Sequence, residues 1–252
     1  MAVAESVRSA EVVGSRARSV SPVRQIGALL KKDMVAELRT KEMLTAMFLF
    51  ALLAMIVFNY ALGSTVKTGA QLDLTGIAGG LAWTIFTFMS LLGLNRSFVH
   101  EKDEGCLDGL LLAPVDRSLI YVSKMLGNLV FLLVVEAITL PVFAIFFVKV
   151  NFLPRLGWVL LSLLLGTLGV SAVGTLLATI SINTKARDLM LPVLFLPVVI
   201  PVVIAAVQST GAAISGAPEA MENMATWLGM LVFYDVIFTV AAYGLYDYVI
   251  GE

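Results

Sequence analysis

Residues 96–117 read RSFVHEKDEGCLDGLLLAPVDR, and their reading decides what kind of bundle the chain builds. The first half, with Glu101, Lys102, Asp103 and Glu104, is too polar to enter lipid. From Leu107 to Leu112 the same stretch is too apolar to be an idle solvated loop. Leu107, Leu110 and Leu111 fall at i, i+3 and i+4, so one helical turn there presents a single apolar face. On either side lie runs long enough to cross a bilayer. An apolar face on a short helix between two membrane spans is a handle for another protein. The chain reads as the membrane half of a machine whose motor is carried elsewhere.

Composition agrees. Of 252 residues 59% are hydrophobic and 14% charged, and the mean hydropathy is +0.95. Soluble domains carry about a quarter charged residues. The expected fold class is an all-α membrane protein of six transmembrane helices, with an N-terminal amphipathic interfacial helix and a short cytoplasmic coupling helix. The spans are expected at about 44–62, 77–95, 120–148, 156–180, 189–207 and 227–250, with a coupling segment at 96–118. At about 20 residues per span, residues 23–252 form one permease domain with no room for a separate soluble one. The third span is longer than a crossing needs and is expected to tilt or break near Pro141. The first forty residues hold no apolar core followed by a small-residue cleavage site, so no secretory signal peptide is expected.

Orientation follows from the cations. All of the Lys and Arg except Lys67, Lys149 and Arg155 fall in the N-terminal segment, the 96–118 insert with Lys124 beside it, or the connection holding Lys185 and Arg187. Both termini and the insert are therefore expected in the cytoplasm. Residues 1–22, rich in Ser, Ala, Arg and Val without periodicity, are expected to be a disordered tail. Across 23–42 an apolar stripe of Val23, Ile26, Leu29, Leu30, Met34 and Leu38 opposes Arg24, Lys31, Lys32, Glu37 and Arg39. That is the pattern of a helix lying on the inner leaflet with its cations near anionic lipid head groups.

Several chemistries are excluded as expectations. There is no G-x-x-x-x-G-K-[ST], no H-E-x-x-H and no G-x-S-x-G, hence no P-loop, zincin site or nucleophile elbow. One histidine, His100, and one cysteine, Cys106, build neither a conventional metal site nor an internal disulfide. Nothing points to nucleic acid. The chain reads as a non-catalytic subunit. Three polar residues nevertheless fall within spans: Asn59, Glu136 and Asp235. Ionisable groups in lipid are costly and normally face a partner or a water-filled cavity. By residue count Glu136 and Asp235 both lie roughly 12–18 Å below the outer surface. They either share a proton or cavity, or each bonds its own neighbouring helix. Pro192, Pro197 and Pro201 in the fifth span each delete a backbone donor and mark a kink or gate.

At the insert, Phe98, Glu101, Glu104-Gly105, Leu107-Asp108, Leu110-Leu111-Leu112 and Ala113-Pro114 resemble the family of cytochrome c maturation protein B, the haem exporter permease subunit. The likeness continues through Lys124, Leu163-Leu164-Leu165-Gly166-Thr167 and Leu194 to Pro201. Gly109 stands where many members carry a polar residue. The resemblance implies an ABC-2-type permease in a bacterial cytoplasmic (inner) membrane, with a second copy of itself as partner. It also implies two copies of a separate ATP-binding subunit, a haem-handling membrane protein and a small single-span subunit. The partner ATPase would bind ATP and magnesium; haem would be present in the complex, and this chain would bind no cofactor directly. On that resemblance Phe98, Glu101, Glu104, Gly105, Leu107, Asp108, Leu110, Leu111 and Pro114 dock on the ATPase. Two alternatives remain at this level: an ABC-2 permease for a drug, lipid or glycan, and a proton-coupled carrier or channel using Glu136 and Asp235.

Overall fold

Each of the six apolar runs is one α-helix in the computed structural model, which describes residues 21–67, 74–103, 116–148, 152–182 and 187–250. In chain order the helices are α1 (Pro22–Thr40), α2 (Glu42–Lys67), α3 (Leu74–Asp103), α4 (Arg117–Phe147), α5 (Leu156–Ile182, entered by the 3-10 turn Leu153–Arg155), α6 (Arg187–Ser215), α7 (Pro218–Glu222) and α8 (Met224–Ile250). Helices α2, α3, α4, α5, α6 and α8 are long and apolar enough to cross a membrane. In hydrocarbon each backbone donor and acceptor must be satisfied within its own segment, which helix achieves. The chain is an all-α membrane protein. The expected tail, residues 1–20, lies outside the described residues.

Pro22 opens α1 where its missing N–H would have been unbonded anyway. Lys41 ends it in a left-handed turn (φ 55), its N–H bonded to the Glu37 carbonyl at 2.6 Å. The helix thus stops at Thr40 instead of running to residue 42, and α1 packs on α4 and α2. Its apolar stripe divides. Ile26, Leu29, Leu30 and Met34 are half-buried, whereas Val23 and Leu38 are 80% and 55% exposed.

Helix α5 is the centre of the bundle, packing against α3, α4, α6 and α8. Small residues let it sit there, because in lipid close approach of backbones supplies the packing gain. The indole of Trp83 occupies the space a β-carbon on Gly166 would take, and Leu94 does the same at Gly174. Lys124, Gly127 and Glu42 mark one end of the bundle, hereafter the α1 end. At the far end Gly216 closes α6 at φ 63, with the Arg155 guanidinium packed against it. A cation there complements the C-terminal dipole of α6.

Helix α4 runs through Pro141 without a break, so of the tilt or break expected there the break does not occur; the Pro141 ring lies on an exposed face. One boundary is corrected. Helix α6 continues to Ser215 instead of ending near 207, since Ala205, Ala206, Ser209, Thr210, Ala212 and Ala213 are buried. Thr210 and Gly211 meet α3. There the Trp83 Nε1 donates to Thr210 Oγ1 at 3.0 Å.

That crossing is tight enough to test. A β-carbon on Gly79 would lie 2.6 Å from the Val207 carbonyl oxygen and 2.9 Å from the Gly211 nitrogen. These are backbone atoms, which cannot swing aside. Gly79→Ala should lower stability by about 1–3 kcal/mol, while Gly80→Ala, whose β-carbon meets only Val207 Cγ1 at 4.0 Å, should not. Thermal unfolding of both variants in detergent checks this, and equal midpoints would show that α3 and α6 do not touch at Gly79.

Candidate functional site

The insert at 96–118 overlaps α3, which runs on to Asp103, and α4, which begins at Arg117. Phe98 and Glu101 stand on the last turns of α3, and Asp116 precedes α4. Glu104, Gly105, Leu107, Asp108, Leu110, Leu111 and Pro114 lie outside the described residues, as does Cys106. What the structure shows is how the ends around the insert are tied. Lys124 Nζ, on a side chain 7% exposed, meets Asp33 Oδ2 of α1 at 2.9 Å. Leu30 packs 3.6 Å from where a Gly127 β-carbon would stand. Glu37 Oε1 accepts the Leu44 N–H at 3.0 Å, capping α2 from the preceding helix. Arg96 near the end of α3 pairs with Glu42 at the start of α2 at 2.8 Å, on the surface. Four helices are thereby joined around the two ends of the insert.

The second feature is a hydroxyl seam along the antiparallel pair α4 and α5. Thr167, Ser171 and Thr175 recur every fourth residue and so share one face of α5. Thr167 Oγ1 lies 2.8 Å from each Glu136 carboxylate oxygen. Ser171 Oγ donates to the Met125 carbonyl at 2.7 Å. Asn128 Nδ2 donates to Thr175 Oγ1 at 3.0 Å, and the Tyr121 hydroxyl donates to the Ala172 carbonyl at 3.0 Å. The four-residue recurrence was readable in sequence; the partners on α4 were not.

Glu136 and Asp235 do not share a wall of α5. Asp235 lies against Gly169, its Oδ1 2.6 Å from where a β-carbon would be. Gly169 is two residues from Thr167, about 200° around the helix. Glu136 thus bonds α5 on one side while Asp235 of α8 meets it on another. Asp235 is 4% exposed, and neither of its carboxylate oxygens has a hydrogen-bond partner among the described residues. Beside it the Tyr234 hydroxyl donates to the Val198 carbonyl at 2.8 Å. That carbonyl lies in the stretch of α6 that contains Pro197 and Pro201, where the helical ladder has lost donors. Pro192, Pro197 and Pro201 all sit inside one continuous helix. Asn59 Nδ2 approaches the Phe146 carbonyl of α4 at 3.5 Å, at the limit of a hydrogen bond.

Among the described residues this arrangement positions helices. No group of three or more His, Cys, Asp and Glu able to hold a metal occurs among the described residues.

Residues 24–244 match the model of the CcmB protein family. The chain is also similar to proteins named heme exporter protein B. That of Rhodobacter capsulatus is 28% identical over 177 residues, 70% of this chain and 78% of its own. That of Pseudomonas aeruginosa is 30% identical over 156 residues, 62% of this chain and 68% of its own. That of Bradyrhizobium diazoefficiens is 26% identical over 191 residues, 76% of this chain and 83% of its own.

The junction around the insert makes a measurable difference between its two ion pairs. Lys124→Met leaves Asp33 turned into the bundle without its closest partner. Lys32 remains 3.3 Å from Asp33 Oδ1, so the change should cost about 2 kcal/mol, below the roughly 3–5 kcal/mol of a fully broken buried pair. Arg96→Ala, at an exposed pair, should cost under about 1 kcal/mol. Adding Asp33→Asn to Lys124→Met should recover most of the loss. Thermal unfolding of the three proteins in one detergent reads all of it, and a K124M protein as stable as R96A would remove the α1–α4 tie.

Proposed function

The chain belongs to the CcmB family, and on that footing we propose that it is the membrane-spanning permease subunit of an ABC-type haem exporter serving cytochrome c maturation. Two copies pair in the bacterial cytoplasmic membrane with two copies of a separate ATP-binding subunit, which binds the ATP and magnesium. A haem-handling membrane protein and a small single-span protein complete the assembly. The α1 end of the bundle faces the cytoplasm, in line with where the Lys and Arg residues fall. Haem, or haem-loaded chaperone, is what the complex releases; this chain contributes movement, not chemistry.

The observation that carries this reading is the family match over residues 24–244, which contains the whole insert. The acidic start of the insert (Glu101, Asp103, Glu104) and its apolar face (Leu107, Leu110, Leu111) seat in a groove of the ATPase. Closure of the ATPase pair pushes on the end of α3 and the start of α4. Since α1 is tied to α4 by Asp33–Lys124, and α4 to α5 by the hydroxyl seam, the push is delivered to the centre of the bundle.

The test is capture of the tagged chain from its native membrane in mild detergent, with mass spectrometry of the proteins that accompany it. The expected companions are an ATP-binding subunit and a haem-handling membrane protein. In a Leu107→Glu, Leu110→Glu chain a carboxylate is forced into an apolar contact at a cost of several kcal/mol. ATPase capture should then fall at least about tenfold, with membrane insertion unchanged. An ATPase that still accompanies the double variant at the normal level removes the insert from the coupling role. An ATPase without haem proteins assigns the complex to another cargo.

A further inference from the structure

Helix α1 has two sides, and the chain itself occupies only one of them. Ile26, Leu29, Leu30, Asp33, Met34 and Glu37 fall at i, i+3, i+4, i+7, i+8 and i+11, so they share one face, and all are half-buried. Leu30 packs beside Gly127, Asp33 pairs with Lys124, and Glu37 accepts the Leu44 N–H. Most of the apolar stripe that the sequence assigns to lipid is thus taken up by α4 and the start of α2. Both acids of the helix lie on this inner side as well.

On the outer side Arg24, Ala28, Lys31, Val35, Leu38 and Arg39 run at i, i+4, i+7, i+11, i+14 and i+15, all exposed, with Lys32 beside them. Val35 and Leu38 are 47% and 55% exposed. Lys32 lies 3.3 Å from Asp33, while Arg24, Lys31 and Arg39 make no ion pair among the described residues. A face of cations without an acid, with bare apolar side chains set between them, suits neither open water nor hydrocarbon. The height of α1 along the bundle says what meets that face. Helix α4 has 31 residues and rises about 46 Å, against roughly 30 Å of hydrocarbon. Its residues Lys124 and Gly127, which α1 touches, lie about 10 and 15 Å from its start. Helix α1 therefore lies along the flank of α4, level with lipid head groups, and not beyond its tip.

We infer that the outer face of α1 is a binding site for anionic phospholipid. Phosphates of neighbouring head groups meet Arg24, Lys31 and Arg39, while Val35 and Leu38 reach the first carbons of the acyl chains. Long cationic side chains lay their stems on apolar surface and hold the charge at head-group level. A guanidinium presents a planar fork that suits a phosphate, and negative lipid attracts each cation near the surface. Charge and depth together favour lipid over a soluble protein, which would approach beyond the ends of α3 and α4. The face that binds is thus the one opposite the apolar stripe, and the hold is ionic more than hydrophobic. The site does not depend on the permease reading, because lipid binding is a property of the chain alone.

Native mass spectrometry of the full chain in detergent tests it, with bound lipid counted during titration by phosphatidylglycerol or by phosphatidylcholine of the same acyl chains. Phosphatidylglycerol should bind at a concentration at least about tenfold lower, and the preference should shrink in about 1 M salt, where charges are screened within about 3 Å. The triple variant Arg24→Gln, Lys31→Gln, Arg39→Gln should lose most of the preference, with its unfolding midpoint in lipid-free detergent unchanged. Arg96→Gln, at an exposed cation of the same end that already pairs with Glu42, should keep it. Glycerol 3-phosphate at equal concentration should not displace the lipid. Equal binding of the two lipids by the unaltered chain overturns the site, as does a triple variant that keeps the preference or an R96Q chain that loses as much. Displacement by glycerol 3-phosphate reduces the face to a phosphate site and overturns the lipid. A triple variant that keeps its lipid but no longer captures an ATPase gives the face to a protein partner instead.

Discussion

The contact between α4 and α5 is the one on which the other helix positions depend, because hydrogen bonds fix its register. Apolar packing alone registers helices weakly in a membrane, since lipid tails are as apolar as leucine. Each interhelical hydrogen bond contributes about 0.6–2 kcal/mol there, which is modest singly. Along this seam Tyr121, Met125, Asn128 and Glu136 meet Ala172, Ser171, Thr175 and Thr167. A slip of one turn, about 5.4 Å, breaks all of them at once. The pair therefore behaves as a single body, and α1 joins it through Asp33 and Lys124.

Contacts on the opposite side of α5 are of a different kind. Helices α3, α6 and α8 reach it or one another through glycines and shape: Trp83 over Gly166, Leu94 over Gly174, Gly79 against the α6 backbone. Such contacts are close and dispersive, with few bonds to fix a particular height. The Pro-bearing helix α6 belongs to this side, steadied by the bonds from Trp83 to Thr210 and from Tyr234 to the Val198 carbonyl. The bundle thus divides into a hydrogen-bonded body of α1, α4 and α5 and a glycine-packed body of α3, α6 and α8.

The class of the fold was legible because hydropathy runs of this length have one outcome in lipid: residues 44–62 or 156–180 admit no other regular structure. The leucines of the insert carry a helical period in a segment too polar to span, but they lie outside the described residues. What failed to show was anything that depends on a neighbour. Thr167, Ser171 and Thr175 advertise a polar face, but nothing in sequence says that Glu136 and Asn128 meet it. Asp33 interrupts the half-buried face of α1 with a charge, yet only its approach to Lys124 explains the interruption. The fifth span was expected to end near 207, and Ser209, Thr210, Ala212 and Ala213 carry it further because they are buried in the bundle. Small residues packed on another helix are hidden from any scale of polarity.

The two intramembrane acids show what this division does to energy. Glu136 receives a hydroxyl from Thr167 and sits inside the hydrogen-bonded body. Asp235, pressed on Gly169 at the edge of the other body, receives no hydrogen bond among the described residues. A buried polar group without a partner costs free energy that a partnered one does not. Displacing α4 from α5 forfeits several bonds together. Displacing α8 from α5 forfeits dispersion contacts and frees a carboxyl group to find a donor. Of the two faces of α5, the one bearing Gly169 is therefore the easier to open.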